Sequence, residues 1–259
     1  MTFGICTSID NASHARAAGW DYLEPSAQQL LKGTVADEAW SGIETTGPDL
    51  PVRAVNMLVP AAMKITGPDV NLETLRQYME RVSRRAKDLG VGILVFGSGG
   101  ARQVPEGFDR ERAKHQILDF GRISAELAAK NGVTIVLEPL NRGECNIINT
   151  IAEAMEYVRQ INHPNLQCLL DTYHFWMESE PLENLIKVMS SVRHVHVADK
   201  DGRVPPGESG TSDYEPIFRV LRRFDYRGSI SVEASKFEPS GYFTTLEYLK
   251  GQWNLAGRA

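Results

Sequence analysis

The sequence predicts an α/β fold, a single (β/α)8 TIM barrel running from residue 1 to residue 259. Three observations predict it. Short β-branched apolar runs alternate with longer amphipathic stretches until eight strands are counted, and no linker breaks the alternation. Polar residues close the later apolar runs, where barrel strands open onto a site at their C-terminal ends. A doubly wound open sheet usually has fewer strands and carries a glycine-rich phosphate turn after the first. Here the chain instead continues IDNASHARAAG.

Strands are expected at Phe3–Ser8, Tyr22–Ser26 and Val52–Leu58, and the segment from about Ala27 to Thr46 is the least defined of the helical stretches. The spacing of apolar residues at three and four then predicts a helix over Asn71–Leu89, with Asn at its start and Gly90 as a left-handed cap. A strand follows at Gly92–Gly97. The GSGG run at Gly97–Gly100 lacks a following GK[ST], and ARQVPEG is not a helix start, so it reads as a flexible loop. The helix Asp109–Asn131 repeats the pattern, Asp opening it and Gly132 closing it. Strands at Val133–Pro139, Gln167–Thr172, Arg193–Asp199 and Ser229–Ser235 complete the eight. Helices are expected at Ile151–Ile161, Leu182–Met189, Tyr214–Phe224 and from about Tyr242.

Composition narrows the function. With 42% hydrophobic and 24% charged residues the chain can bury a substantial core, and a net charge of −5 gives nucleic-acid binding no support. Cys6, Cys145 and Cys168 are odd in number and outside CxxC pairs, which suits small buried hydrophobes in a reducing compartment. The N-terminus lacks the pattern of a signal peptide, and no run approaches about 18 apolar residues. A cytoplasmic protein with no membrane partner is the expectation.

The chemistry lies at four strand ends. Glu138 ends VTIVLE, Asp171 ends QCLLD, His196 lies in RHVHVAD and Glu233 in SISVEAS. An acid at a strand end can simply cap the next helix, and a lone His is usually an ordinary hydrogen-bonded residue. Four together differ, because like charges packed side by side cost stability unless a cation neutralises them. Three carboxylates and an imidazole suit one hard divalent ion, Mn2+ first, with Mg2+ or Co2+ as alternatives. Asn141, Arg142, Glu144, His174 and Arg203 add polar residues suited to a polyhydroxylated ligand, although Arg142 could equally pair with a neighbouring carboxylate. His194 shares a strand face with His196, as a group beneath the metal or, more simply, a satisfied core histidine. Trp176 and Phe175 read as an apolar wall or as core. Cys6, Glu24, Asn56, Met57 and Phe96, at the first four strand ends, carry no clear substrate signature.

In LEPLNRGE (Leu137–Glu144), DTYH (Asp171–His174), HVHVADKDGRVPPG (His194–Gly207) and YRGSISVEAS, the chain resembles the xylose-isomerase-like sugar isomerases and epimerases. Within them it is most similar to the ketose 3-epimerases related to D-tagatose and D-psicose 3-epimerase. The resemblance covers nearly the whole chain. It implies metal ligation by Glu138, Asp171, His196 and Glu233, catalytic proton transfer by Glu138 and Glu233, and substrate binding by Glu144, His174 and Arg203. It also implies a small sugar or keto-sugar substrate and, by analogy with relatives, a homo-oligomer.

The expected reaction is epimerisation of a ketose or keto-sugar acid at C3 through a cis-enediolate, with the two glutamates as acid and base (class 5.1.3 or 5.3.1). The alternatives are a metal-dependent keto-inositol or keto-sugar dehydratase and a hydroxypyruvate-type isomerase on the same framework. An endonuclease-like phosphodiesterase would need more histidines than the six present, of which His14, His115 and His163 fall in helices or turns. A non-catalytic metal-stabilised scaffold is hard to reconcile with acids placed for proton transfer.

Overall fold

The computed structural model describes residues 1–40, 42 and 50–258. In chain order it runs β1 (Thr2–Ile5), α1 (Ala12–Ala17), β2 (Tyr22–Leu23), α2 (Ala27–Leu30), β3 (Ala54–Val55), α3 (Leu72–Asp88), β4 (Ile93–Phe96), α4 (Gly99–Arg102) and α5 (Arg110–Lys130). It continues β5 (Thr134–Leu137), α6 (Ile151–Ile161), β6 (Leu166–Asp171), α7 (Thr172–Met177), α8 (Leu182–Val188), β7 (Val192–Val197), α9 (Glu215–Arg223), β8 (Ser229–Val232) and α10 (Tyr242–Leu255). The strands pair in parallel in the order β2-β1-β8-β7-β6-β5-β4-β3. The fold is a TIM barrel.

The barrel closes between its two shortest strands. The Leu23 amide donates to the Pro51 carbonyl at 2.9 Å and the Arg53 amide to Leu23 at 3.3 Å, with isolated bridges pairing Leu23 with Val52 and Ser26 with Asn56. Pro25 and Pro51 have no N–H to give a ladder, which is why the expected strands Tyr22–Ser26 and Val52–Leu58 shrink to two residues each. The six other strands form within a few residues of their expected ends.

Helix starts follow local chemistry. Asn71 accepts from the Thr74 amide at 3.0 Å and Asp109 from the Arg112 amide at 2.7 Å. Gly90 and Gly132, at φ +72° and +68°, take the left-handed conformation expected of them after α3 and α5. Of the segment Ala27–Thr46, only Ala27–Leu30 is α-helical, with a 3-10 turn at Asp37–Ala39. Its end at 43–46 lies outside the described residues.

GSGG is not a loop. Gly99–Arg102 forms α4, entered through Ser98 at φ +44°, whose hydroxyl accepts from the Val59 amide at 2.9 Å. Arg102, fully buried, secures it by donating to the carbonyls of Phe96 and Glu138.

Alternation along the strands divides the barrel interior. Leu94, Phe96, Ile135 and Leu137 pack outward into the main core with the helices, while Val95, Val136 and Leu169 form a small separate apolar group with Ile93. On β7 and β8 the buried set includes His194, His196 and Ser231. Register puts Asp171 beside His196 and His196 beside Ser231, so one level of the sheet carries polar side chains across three strands. Gly4 stands beside them on β1, and a Cβ there would lie 2.1 Å from the Tyr22 ring, so glycine makes room for that tyrosine.

Candidate active site

Glu138, Asp171, His196 and Glu233 come together at the C-terminal face, each offering one ligand atom within 4.8 Å of the others. All but the half-buried Glu233 are buried. His196 Nδ1 lies 3.1 Å from Glu138 Oε1 and 3.4 Å from Glu233 Oε2. Asp171 does two things: Oδ1 accepts the His174 amide at 3.2 Å, capping α7, and Oδ2 faces Arg203 at 3.7 Å. The helix-cap reading and the site reading of this residue are therefore compatible. The donor set fits a hard divalent ion, since three carboxylates crowd one imidazole nitrogen in a buried setting.

Glu24 determines how His196 stands. Its Oε1 accepts from His196 Nε2 at 2.8 Å, and its Oε2 accepts from His194 Nε2 at 2.7 Å and from Ser231 Oγ at 2.6 Å. Because Ser231 donates to Glu24, it accepts from the Tyr22 hydroxyl at 2.6 Å. With Nε2–H committed to a carboxylate, the Nδ1 lone pair is left for a cation, the usual way a protein orients a ligating imidazole. His194 is thus a satisfied core histidine, linked to His196 through Glu24.

The charges act on one another strongly. Burial and then the Glu233 charge raise Glu138 above the usual carboxylate range. Burial acts upward on Glu233 too, but His196 and Arg203 overcome it and hold Glu233 at about 2. Burial opposes the charge on His196, yet Glu24 and Glu233 raise it well above an ordinary histidine. Burial likewise opposes the low value at Glu24, which the two histidines nevertheless enforce.

The other predicted residues surround this group. Arg203, at φ +51°, donates to Glu233 Oε2 at 2.5 Å and to Glu144 Oε1 at 3.2 Å. His174 Nδ1 accepts from the Asn141 amide at 3.1 Å, so Nε2 carries the proton. That Nε2 is buried without a hydrogen-bond partner, 3.9 Å from Glu144 and 4.0 Å from Asp171. Asn141 also bonds Glu144. Arg142 is exposed and paired with Glu178, the structural alternative for that residue. Phe175 is buried and Trp176 packs on Tyr214 with ring centroids 5.1 Å apart, so both serve the core.

A cavity of about 650 Å3 opens over the acids. Cys6, Glu24, Asn56 and Met57 all line it, and Asn56 Nδ2 donates to Glu233 Oε1 at 2.9 Å. Phe96 is core instead. Glu24 and Asn56 are the residues a sequence reading undervalues. A buried acid followed by proline at a strand end is the one local signal that could have found Glu24.

Gly97 follows β4 and lies against Glu138, where a Cβ would stand 2.2 Å from Glu138 Oε2. Gly97→Ala is expected to push that carboxylate aside and lower kcat by on the order of 100-fold, the scale of an ångström misplacement, with Tm little changed. Steady-state kinetics beside a thermal melt checks this, and unchanged kcat refutes it.

Among the described residues, no helix is long and apolar enough to cross a membrane. Residues 12–252 match the xylose isomerase-like TIM barrel family. The chain is 35% identical over 173 residues to 3-dehydro-D-guloside 4-epimerase of Escherichia coli K12, spanning 62% of this chain and 63% of that one. It is 31% identical over 259 residues to L-ribulose 3-epimerase of Methylomonas sp. DH-1, spanning 95% of this chain and 86% of that one. Among solved structures, the apo 3-keto-D-glucoside 4-epimerase of E. coli superposes with a TM-score of 0.80 at 23% identity, covering 97% of this chain and 99% of that one.

Proposed function

The chain belongs to the xylose isomerase-like TIM barrel family, and from that premise we propose that it epimerises a keto sugar at the carbon beside the ketone. Its relatives at 31% and 35% identity are sugar epimerases, one acting at C3 of a ketose and one at C4 of a keto-glycoside, and it is an enzyme of this isomerase and epimerase class. The whole barrel, residues 1–259, acts as one catalytic domain. The observation that carries the reading is the pair of carboxylates, Glu138 and Glu233, both lining the cavity and 3.1 and 3.4 Å from His196 Nδ1.

Glu138, Asp171, His196 and Glu233 would hold a divalent cation, manganese in our reading, which when bound supplies Lewis acidity to an α-hydroxy ketone and steadies the enediolate charge. One of Glu138 and Glu233 takes the proton from the carbon beside the carbonyl, and the other returns a proton to the opposite face. Two carboxylates are needed because a single base tends to restore the configuration it removed. Glu233 bonds Arg203 and Asn56, which favour its charged form, whereas Glu138, raised by burial and by Glu233, would depend on the cation for its charge.

The unpartnered Nε2–H of His174 is a donor aimed between Glu144 and Asp171, where a substrate oxygen would satisfy it. Arg203 donates to the oxygen that gains charge, and Glu144 accepts from a sugar hydroxyl. Glu24 keeps the imidazole of His196 turned to the site.

The test is deuterium uptake from D2O, followed by NMR, for Mn2+-loaded protein with ketopentoses, ketohexoses, keto-inositols and keto-glycosides. Exchange at the carbon beside the ketone with inversion is expected. Exchange accompanied by loss of water from the product would mark a lyase instead, and no exchange in any substrate would end the proposal.

A further inference from the structure

The cavity says more about its ligand than the acids at its floor do, and this deepening rests on the epimerase reading above. Among the described residues, the lining holds one cationic side chain, Arg203, against the carboxylates Glu24, Glu138, Glu144 and Glu233. Arg203 is already engaged by Glu144, Glu233 and Asp171. A divalent cation bound at the floor would be outnumbered in charge by its own three carboxylate ligands. The undescribed residues 41, 43–49 and 259 contain no Lys or Arg.

Two cationic side chains near the wall are bonded to backbone carbonyls. Arg102 lies beneath the wall, but its guanidinium donates to the carbonyls of Phe96 and Glu138. Lys64, outside the lining, holds its ammonium on the Gly100 carbonyl at 3.0 Å. Helix α4 has only four residues and supplies no appreciable dipole. Among the described residues of the lining, a phosphate or a second carboxylate on the substrate would enter a field of its own sign and meet only the engaged Arg203.

Size points the same way. A cavity of about 650 Å3 sits in the middle of the ~300–1,000 Å3 range of sites that enclose drug-sized ligands. A free hexose, with a dozen heavy atoms, leaves much of it to water. The space beyond the acids is bounded by Gln28 and Gln29 after β2, Met57, Val59 and Ala61 after β3, and Ser98, Gly99 and Gly100 after β4. These are neutral, so among the described residues the outer wall is uncharged, with amide and hydroxyl groups beside apolar ones and a low stretch at Ala61, Gly99 and Gly100.

We propose that the substrate is an uncharged keto sugar bearing a second neutral group of about a sugar ring's size, a glycoside or a keto-disaccharide. The ketone end sits at the acids and the substituent lies against Gln29, Ala61 and the glycines after β4.

The experiment compares kcat/KM of the full-length, Mn2+-loaded protein, read as deuterium exchange, for five probes. These are D-fructose, D-fructose 6-phosphate, 2-keto-D-gluconate, lactulose and a ring-keto phenyl glucoside. At least one of the last two is expected to exceed D-fructose tenfold, and the two anions to fall at least tenfold below it. D-fructose equal to or better than both substituted probes, or either anion preferred, overturns the inference while leaving the epimerase reading intact. No exchange with any probe overturns that reading and the inference with it. Ala61→Trp, and independently Gln29→Trp, should cut the substituted-to-free ratio at least fivefold. Equal losses for both substrates would show that the substituent lies elsewhere.

Discussion

Glu138→Gln and Glu233→Gln are each expected to lower kcat/KM by about a thousandfold or more. A positioned general acid or base contributes roughly 10²- to 10⁴-fold, and each substitution also removes a charge from the candidate cation site. The amide keeps the size of the carboxylate, so the barrel should persist, as its melting curve would show. Proton exchange and inversion separate the two residues. If one glutamate serves each face of the substrate, one variant will still wash deuterium into the starting sugar while forming no epimer. Retained exchange and turnover in both variants would remove the proton-transfer assignment, and titration calorimetry with Mn2+ would show whether either loss came through the metal instead.

Glu24→Ala should have the largest effect on stability. The Glu24 side chain is fully buried and accepts from His194, His196 and Ser231, so its removal strands three donors in the barrel interior. Breaking a buried pair in this way typically costs about 3–5 kcal/mol, measurable by urea unfolding as a lower midpoint at unchanged m. Glu24→Gln retains the volume and should cost less, but it frees His196 to turn. Mn2+ affinity should then fall about 10- to 100-fold, the usual range for losing the partner of a ligating histidine. Glu24→Ala within about 1 kcal/mol of the parent, with Mn2+ affinity unchanged, would mean that Glu24 neither holds the interior nor orients the imidazole.

Much of this molecule can be read along the chain. The strands from β4 onward appear in short β-branched runs, and the long helices α3 and α5 announce both ends through Asn71, Gly90, Asp109 and Gly132. The four residues of the acid and histidine cluster are legible because each closes its own strand, and parallel strands of a barrel bring their C-terminal ends to one face. The seam between β2 and β3 was less legible, since prolines shorten strands whose pairing is made by single bridges. GSGG misled for a similar reason. Its glycines suggest freedom, whereas Gly97 is there because Glu138 occupies the space of a side chain, and α4 is held by a buried arginine.

The sequence by itself determined the barrel, the order of its elements and the strand ends that carry Glu138, Asp171, His196 and Glu233, because periodicity, caps and strand-end position are local properties. Only the tertiary structure decided that Glu24 meets His196 across 172 positions, that Asn56 meets Glu233 across 177, and that His174 keeps an unpartnered donor. It also decided that, among the described residues, the wall beyond the acids is neutral. The first two contacts join residues after early strands to residues on or after late ones, and all of these features set distant segments side by side, so no spacing within one segment encodes them.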